Sequence, residues 1–425
     1  MRLFSPYVRD RLQFALTLAS IVVLSLPAQA DPLVDRVVEI LRADAELSGY
    51  SWAYENVARE GDTVVLHGIT MRPQQAGPGA PDAKMTTELI RLENAQATLD
   101  GGLKASRFVG RGYRVEVTAP HAQGPMSVSI SIDEIGGSDL VTPSAQIRKQ
   151  QLLAGYMFGQ KMTDFHLSNM SFQFGSTFSM TLPHLSGRAD WNDDGSIKSY
   201  QAQSEPIVFP APAVGSTGDA LLASVGKKEF SLSFSLNANV DHDTRSISVA
   251  PLEYSLDDLA SLKLTVEIGN VDTVAPANYR DIQVPQGKID YGAALREKMM
   301  NWEFRSASIR LSSQKLVDPL FAAAARSAAS DLYDRDPVRA IEITKQGVLA
   351  ALPGQLEKLE HPKLADATAS ALEQFFNDPE KYDLVISFKP ESTVTFATLV
   401  GTAMLGPKTL LFLLNADVTA ACRAC

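Results

Sequence analysis

The sequence predicts a mostly β protein of the α+β class, with an extended, curved antiparallel sheet, an N-terminal helix and a helical segment near the C-terminus. Two observations support this prediction. Apolar residues alternate with small polar residues along several stretches, most completely over Met170–Leu182, and a period of two is a strand pattern typical of antiparallel sheets with one wet face. From Lys288 onward, the apolar spacing lengthens to that of amphipathic helices.

The composition indicates a folded protein without a nucleic-acid partner. Hydrophobic residues make up 45% of the 425 residues, so we expect a sizeable core, and global disorder is excluded. The net charge is −10 and the charges are scattered. This distribution gives neither the basic footprint of a nucleic-acid-binding protein nor a polybasic cluster for an anionic membrane surface.

Residues 1–30 have the pattern of a cleavable signal peptide. Arginines precede the apolar run Leu12–Leu26, and the small-x-small site Ala28-Gln29-Ala30 follows it. The apolar run is shorter than a bilayer-spanning helix requires. The sequence therefore predicts cleavage after Ala30 and export to the periplasm.

Changes of pattern divide the remaining chain into three segments: an extended antiparallel β region at 31–285, a mainly helical segment at 286–380, and returning strands with a tail at 381–425. The first helix is predicted over Pro32–Ser48 and is ended by Gly49. The next predicted elements are strands over Tyr50–Val57, Thr63–Met71, Thr87–Leu99, Ala105–Val117 and Met126–Asp133, and a short helix over Ala145–Gly159.

The stretch Met170–Leu182 is predicted to form one long strand whose apolar side is interrupted only by Ser176. The same alternation predicts strands over Phe230–Val240 and Leu262–Ile268. Apolar strand faces usually belong to a core, but these strands outnumber the helices that could cover them. We therefore expect part of the apolar surface to bind an acyl chain or another apolar ligand. The predicted ligand-binding residues are Met170, Phe172, Phe174, Phe178, Met180, Leu182, Phe230, Leu232, Phe234 and Leu236.

In the C-terminal part, Asp318-Pro319 and Asp336-Pro337 each have the pattern of an N-cap followed by proline in the first helical position. The helices predicted here begin at Asp290 or cover residues 320–333, 338–352 and Leu364–Asn377, and the predicted strands are Trp302–Leu311, Tyr382–Phe388, Thr393–Leu399 and Thr409–Val418. The apolar stretch Thr398–Leu414 contains Gly406-Pro407-Lys408 in its middle. A strand–turn–strand is therefore favoured over a membrane span.

No stretch carries a catalytic, metal-binding or cofactor-binding signature. The six histidines are scattered, and no nucleophile elbow, phosphate-binding glycine loop or HExxH motif is present. Asp190, Asn192 and Asp194 resemble the front of a calcium-binding loop, but Gln201 replaces the bidentate glutamate, so a plain turn is favoured. Cys422 and Cys425 favour a local disulfide or an idle tail over redox or metal chemistry. We therefore expect neither an enzyme nor a cofactor.

Four stretches in the N-terminal two-thirds carry a family resemblance: Gly49–Val57, Gly61–Thr70, Ile90–Ala95 and Asp164–Phe172. Over residues 31–270, the chain resembles the strand-rich periplasmic proteins of Gram-negative bacteria that include the AsmA-type and YdgA-like families. The resemblance implies an elongated antiparallel sheet with an apolar concave face. For the AsmA-type proteins, it also implies a part in envelope lipid homeostasis.

Two functional hypotheses follow. The first is an exported, non-enzymatic protein that binds or shields apolar envelope components, above all lipid, along an apolar sheet face. The second is a structural or assembly factor of the cell envelope that acts through protein–protein contacts, with the helices after Pro319 and Pro337 contacting envelope proteins.

Overall fold

The computed structural model describes residues 31–47, 49–74, 82–119, 126–154, 156, 160–175, 178–193, 195–209, 217–273, 281–284, 291–313, 315–357 and 361–423. Antiparallel strands predominate, with one helix at the N-terminal end and several helices toward the C-terminus. The predicted fold class is therefore confirmed. The predicted signal peptide at residues 1–30 lies outside the described residues.

The chain divides into two compact units, Met1–Lys198 with Asp272–Lys298 and Ser199–Val271 with Met299–Cys425. The two units meet after Lys198, Val271 and Lys298. The elements of the first unit are α1 Pro32–Leu47, β1 Tyr50–Ala53, β2 Asn56–Glu60, β3 Thr63–Pro73, β4 Asp82–Glu93, β5 Gln96–Ala97, β6 Leu103–Ala119, β7 Met126–Thr142, α2 Ala145–Leu153, β8 Asp164–Phe174 and β9 Phe178–Trp191.

Two elements span a unit boundary, β10 Ile197–Ser204 and α4 Tyr291–Met299. The remaining elements of the second unit are β11 Ile207–Phe209, α3 Thr217–Ser224, β12 Phe230–Asp241, β13 Ser246–Leu256, β14 Ala260–Gly269, β15 Glu303–Ser313, α5 Val317–Ala328, α6 Ser330–Arg335, α7 Pro337–Leu356, α8 Pro362–Asn377, β16 Tyr382–Phe388, β17 Val394–Thr395, α9 Phe396–Leu405, α10 Pro407–Leu413 and β18 Ala416–Cys422.

In the first unit, β3, β4, β6, β7, β8 and β9 pair in that order as an antiparallel meander, and β1 and β2 both pair with β3. Helix α1 lies on one face and buries its apolar stripe there. Asp31 caps this helix, because its Oδ1 accepts the N–H of Leu33 at 2.9 Å. The core under α1 contains the fully buried side chains of Val37, Leu66, Leu103 and Phe108.

A line of one-residue irregularities crosses this sheet from β3 to β9. At this level the pairing of each strand is interrupted, at Gly68, Glu88, Gly112, Asp133, Asn169 and Pro183. Gly68 and Gly112 have φ of +64° and +66°, a conformation that glycine adopts without strain. The interrupting residues lie opposite one another, so the pairing register is the same on both sides of the line. At Gly68, the alternation of faces shifts by one residue. Leu66 and Ile69, on either side of Gly68, therefore both lie in the core under α1.

The prediction of one long strand over Met170–Leu182 is wrong: this stretch is a hairpin. Strand β8 ends at Phe174 and β9 begins at Phe178. Gly175, with φ of +59°, starts the turn and donates its N–H to the carbonyl of Ser127 at 2.8 Å. The hairpin pairs Met170 with Leu182, Phe172 with Met180 and Phe174 with Phe178. The predicted apolar side is thus preserved, but it is shared between two strands.

Several predicted element boundaries in the first unit also change. Tyr50–Val57 forms two strands, β1 and β2, and the strand predicted at Thr87–Leu99 covers Asp82–Glu93. The helix predicted to end at Gly159 ends at Leu153. The predicted helix Pro32–Ser48 is confirmed to within one residue as α1.

In the helical segment, Asp336 caps α7 as predicted, because its Oδ1 accepts the N–H of Arg339 at 3.1 Å. The predicted cap at Asp318 is wrong. Helix α5 begins at Val317, and the hydroxyl of Ser313 accepts the N–H of Val317 at 3.2 Å. The helix predicted over 320–333 is divided at Ala329 into α5 and α6, and α7 continues through Pro353 to Leu356.

The strands predicted over Thr393–Leu399 and Thr409–Val418 are wrong, because most of this stretch is helical. Thr395 caps α9 by accepting the N–H of Thr398 at 3.2 Å. Gly406, with φ of +114°, connects the two helices, and Pro407 opens α10, where its missing N–H is not needed. Only Val394–Thr395 and Ala416–Cys422 are strands.

In the second unit, β12, β13, β14, β15, β16 and β18 pair in that order, all antiparallel. Helices α5, α7 and α8 pack at one end of this sheet. Phe321 and Phe375 contact Leu311 of β15 and Leu384 of β16. Leu364 of α8 packs near β18. The described helical core of this unit is therefore built against β15, β16 and β18.

Leu103→Ala is expected to lower the free energy of unfolding by about 3 kcal/mol, because it removes a fully buried side chain from the core under α1. Leu99→Ala is the matched control, since Leu99 is fully exposed and its change should stay within about 0.5 kcal/mol. Urea unfolding followed by circular dichroism measures both. Equal losses of unfolding free energy in the two variants would contradict the burial of Leu103 in this core.

Candidate functional site

The ten predicted ligand-binding residues lie on apolar sheet faces in two different units. Six belong to the β8–β9 hairpin of the first unit, and four belong to β12 of the second unit. The side chain of Phe178 lies outside what the structure describes. Leu182 is buried, and Met170, Phe172, Phe174, Met180 and the four residues of β12 are half-buried.

In the first unit, the hairpin extends an apolar row across seven strands. Successive cross-strand partners in this row are Trp52, Met71, Met85, Val115, Ile130, Phe172 and Met180. Helix α1 packs on the end of the row that contains Trp52 and Met71. Met71 and Ile130 retain 5% and 6% of their surface. The other five residues of the row are half-buried, so the row forms core where α1 packs on it and at Ile130.

In the second unit, the predicted residues of β12 belong to a broader apolar face. Its cross-strand rows are Phe234–Tyr254–Leu262–Leu311–Leu384 and Leu236–Leu252–Leu264–Ile309–Ile386–Val418. The rings of Phe234 and Tyr254 are 6.2 Å apart. Cross-strand pairing therefore produces a continuous apolar surface from strands that are distant in sequence.

A bulge in β13 keeps this surface continuous. Val249 and Leu252 pair with Ala238 and Leu236 of β12, so β13 has one more residue between its pairs than β12 has. The extra residue lies at Ala250-Pro251. Val249 and Leu252 are three apart in sequence, and the extra residue returns both of them to the apolar side.

Coverage of this face is uneven. Its β15–β18 end packs against α5 and α8 through Leu311, Leu384 and Ile386. In β12, β13 and β14, the apolar side chains are only half-buried, and Leu262 retains 38% of its surface. We call this part the β12–β14 apolar face, formed by Phe234, Leu236, Leu252, Tyr254, Leu262 and Leu264. It can bind the apolar part of a ligand.

The opposite side of the same strands is polar. Lys263 Nζ lies 3.1 Å from Glu253 Oε2, and the hydroxyls of Thr265 and Ser308 are 2.8 Å apart. Val208, which retains 45% of its surface, pairs with Ser231 on this polar side. One face of the second unit's sheet is therefore apolar and the other is mainly polar.

On the polar side of the first unit, an arginine and a histidine contact the same glutamate. Arg111 and His166 both contact Glu134, at 2.8 and 3.3 Å. Burial pushes the pKa of Glu134 upward, but hydrogen bonds from Arg111 and His166 outweigh it and hold that pKa below its usual range. This arrangement is an ion-paired carboxylate and not a general acid.

A serine–histidine contact lies next to this group. The hydroxyl of Ser168 is 3.4 Å from Nδ1 of His184, whose ring stacks on His166 at 6.2 Å. Glu134 contacts His166 and not His184. The carboxylate, the imidazole and the hydroxyl therefore do not form the connected relay that activates a serine nucleophile.

A shallow pocket of about 520 Å³ also opens on the first unit, beside Gly112. Its lining mixes Arg111 and Arg114 with Glu88, Glu116 and Asp133. Side chains of both signs alternate there, so the pocket presents no single charge to a ligand.

The described residues contain no group of three or more His, Cys, Asp or Glu side chains placed to hold a metal. Asp190 is the next-to-last residue of β9, and the N–H of Asn192 donates to the carbonyl of Ser196 at 2.9 Å in the turn that follows. The flanking elements are strands, as the preferred turn predicts. Asp194 lies outside the described residues. Cys422 is disulfide-bonded, whereas Cys425 lies outside the described residues.

Comparison with known proteins gives a partial family match. A family model whose description is "Uncharacterized protein" matches residues 253–421. The match begins in β13 and ends in β18, so it includes β14–β16 and the C-terminal helices. No curated protein matches the chain. In the part of the chain that the structure describes, no helix has both the length and the apolar character needed to cross a membrane.

Sequence reasoning missed the contribution of β13 to the apolar face. Pro251 lies in the middle of this strand, and proline argues against a central strand. The bulge beside it also breaks the alternation between Val249 and Leu252. The alternation of Leu262 and Leu264 was visible in the sequence. Their position beside Phe234 and Leu236 became apparent only from the pairing.

One buried carboxyl group lies apart from the apolar faces. Asp44 of α1 accepts a hydrogen bond from Gln160 Nε2 at 2.7 Å. Burial raises the pKa of Asp44 to about 6, and the nearby charge of Arg148 only partly opposes this effect. Burial likewise lowers the pKa of Arg148. The ionised form of Asp44 is therefore costly in the folded protein.

Because the folded-state pKa of Asp44 is raised, this group is expected to destabilise the protein as pH increases from about 4 to about 6. Relative to Asp44→Asn, the wild type should lose on the order of 2 kcal/mol of unfolding free energy between pH 4 and pH 7. Urea unfolding of both proteins at several pH values measures this difference. The other titratable groups are the same in both proteins, so their contributions cancel. A constant difference would contradict the burial of an ionisable Asp44.

Proposed function

We propose that this protein is an exported, non-enzymatic protein that binds or shields apolar envelope components, with lipid acyl chains occupying the β12–β14 apolar face. The observation that carries the proposal is the continuity and partial exposure of that face. Phe234, Leu252 and Leu264 are half-buried, and Leu262 retains 38% of its surface. An acyl chain on these residues would remove apolar surface from water, at about 25 cal/mol per Å².

The arrangement of polar groups suits an acyl chain better than a polar ligand. The six side chains that define the β12–β14 apolar face provide one polar atom, the hydroxyl of Tyr254, so they would bind a hydrocarbon without orienting polar substituents. The charged pair Lys263–Glu253 lies on the opposite side of the sheet. The resemblance of residues 31–270 to AsmA-type periplasmic proteins supports a lipid as the ligand.

Two observations support the exported location. Cys422 is disulfide-bonded, and disulfides persist mainly in oxidising compartments such as the periplasm. The second concerns the residue that cleavage after Ala30 would leave at the N-terminus. Asp31, the residue after the predicted cleavage site, caps α1 and pairs with Arg59 at 3.0 Å.

The alternative function, a protein-binding assembly factor, has weaker support. Leu320, Val338, Ile343 and Val348 are exposed on α5 and α7. The three residues of α7 are five positions apart, so at 100° per residue they point in roughly three different directions. They do not form the single stripe that a docking groove would cover.

Leu262→Glu is expected to weaken binding of an NBD-labelled phospholipid about tenfold, because it places a charge against the acyl chain. Val208→Glu is the matched control: it adds the same charge to the same sheet at an equally exposed position on the polar side. Fluorescence titration measures both affinities, and mass spectrometry of lipids extracted from the wild type identifies the natural ligand.

Two results would overturn the lipid proposal. One is wild-type protein, purified from the periplasm without detergent, that contains no extractable lipid and does not bind the probe. The other is an equal loss of affinity in Leu262→Glu and Val208→Glu, since the two substitutions change opposite sides of the sheet. Thermal melts of both variants show whether each one folds as the wild type does.

Protein isolated from the periplasm of a Gram-negative host should begin at Asp31, because cleavage after Ala30 leaves the cap of α1 intact. N-terminal sequencing and intact-mass measurement test this expectation. Ala30→Arg should block processing, since small residues are required at the cleavage site. A wild-type protein that retains residues 1–30 and remains in the cytoplasm would contradict the proposed location.

A further inference from the structure

The hairpin formed by α9 and α10 is apolar and highly exposed. Between residues 396 and 416, Lys408 is the only ionisable side chain. Val400 and Phe412 retain 47% and 55% of their surface, and Met404 and Leu405 at the end of α9 retain 84% and 76%. Helix α9 has no buried residue. In the described chain, the hairpin is therefore a surface element with the composition of an interior one.

The base of this hairpin is held firmly. Phe396 donates its N–H to the carbonyl of Trp302 at 2.9 Å, and the two rings are 6.1 Å apart. Phe412 stacks on His361 at 4.1 Å. The tip at Met404 is thus carried on a fixed support, and its exposure is not that of a fraying terminus.

The distribution of exposed residues identifies the kind of surroundings that would cover the hairpin. The exposed residues of α9 include Thr398 and Ala403 besides Val400, Met404 and Leu405, and together they span roughly 220° of the helix circumference at 100° per residue. A helix that is apolar over most of its circumference belongs in a core or in lipid. A docked protein would cover one side, whereas a lipid phase covers all of them.

We propose that the α9–α10 hairpin inserts its tip into one leaflet of a phospholipid membrane, with Met404 and Leu405 in the acyl region and Lys408 at the level of the phosphates. The exposed Lys408 lies in the first turn of α10, just beyond the tip at Gly406, and a lysine stem is long enough to bring its ammonium group to the phosphates from a shallow insertion. This membrane contact does not depend on lipid binding by the β12–β14 apolar face.

The dimensions and hydrogen bonds of the hairpin fit a shallow insertion. The 10 residues of α9 give a length of roughly 15 Å, about half of the hydrocarbon thickness of a bilayer. Backbone groups in lipid must be paired within the protein. Hydrogen bonds inside the two helices satisfy this requirement away from their ends, and the N–H of Gly406 at the tip donates to the carbonyl of Ala403 at 3.3 Å.

Flotation of purified protein with vesicles of phosphatidylethanolamine and phosphatidylglycerol tests the insertion. Wild-type protein should float with the vesicles, and the double variant M404D/L405D should reduce the bound fraction at least fivefold. Val338→Asp is the matched control, because Val338 on α7 is exposed to a similar degree, 79%, and this variant should bind as the wild type does. The substituted side chains are exposed, so all variants should fold, which thermal melts verify.

The headgroup contact has a separate test. Lys408→Gln should weaken binding to vesicles that contain phosphatidylglycerol more than binding to vesicles of phosphatidylcholine alone. Equal weakening on both kinds of vesicle would show that Lys408 does not contact anionic headgroups and would overturn that part of the inference.

Three results would overturn the insertion itself: wild-type protein that does not float, M404D/L405D that floats as the wild type does, or equal losses in M404D/L405D and Val338→Asp. If a second copy of the chain covers the hairpin instead, M404D/L405D should convert a dimer to a monomer without affecting flotation. The molar mass measured by light scattering distinguishes this outcome. Lipid extraction separates this inference from the proposed function. Protein that floats but contains no extractable lipid would support the insertion and contradict the proposed function. Lipid-loaded protein that does not float would support the proposed function and contradict the insertion.

Discussion

Burial of one apolar sheet face is the interaction on which both units depend. In the first unit, α1 covers part of that face and produces a closed core around Leu66 and Phe108. In the second unit, α5 and α8 cover only the end formed by β15, β16 and β18. The same strand chemistry therefore yields a core beneath the helices and a partly exposed surface beyond them. The difference lies in which strands the helices pack on and not in the strands themselves.

The sequence was sufficient to predict the strands with uninterrupted alternation. Phe230–Val240 and Leu262–Ile268 correspond to β12 and β14 to within two residues at each end. It was insufficient at the β8–β9 hairpin for a physical reason. The turn places an odd number of residues between Phe174 and Phe178, so the alternation continues in phase through it and resembles one strand.

The other failures have equally specific causes. In β13, Pro251 and the neighbouring bulge conceal the alternation that places Leu252 on the apolar face. In α9 and α10, an apolar run whose single charge is Lys408 has no polar face to reveal a helical period, and its β-branched residues favour strands locally. Two of the six residues of the β12–β14 apolar face could be predicted as ligand-binding, because Phe234 and Leu236 show their pattern within one strand. The other four depend on which strands become neighbours.

The aligned interruptions from Gly68 to Pro183 give the first unit a sensitivity that its amino-acid composition does not reveal. At Gly68 the alternation of faces shifts, so that Leu66 and Ile69 both lie in the core under α1, while the pairing register with β4 stays the same. Loss of Gly68 would restore simple alternation in β3 and turn one half of the strand over, with polar side chains facing that core. Substitution of Gly68 is strained as well, because its φ is +64°. The length of β3 is therefore constrained as tightly as its sequence.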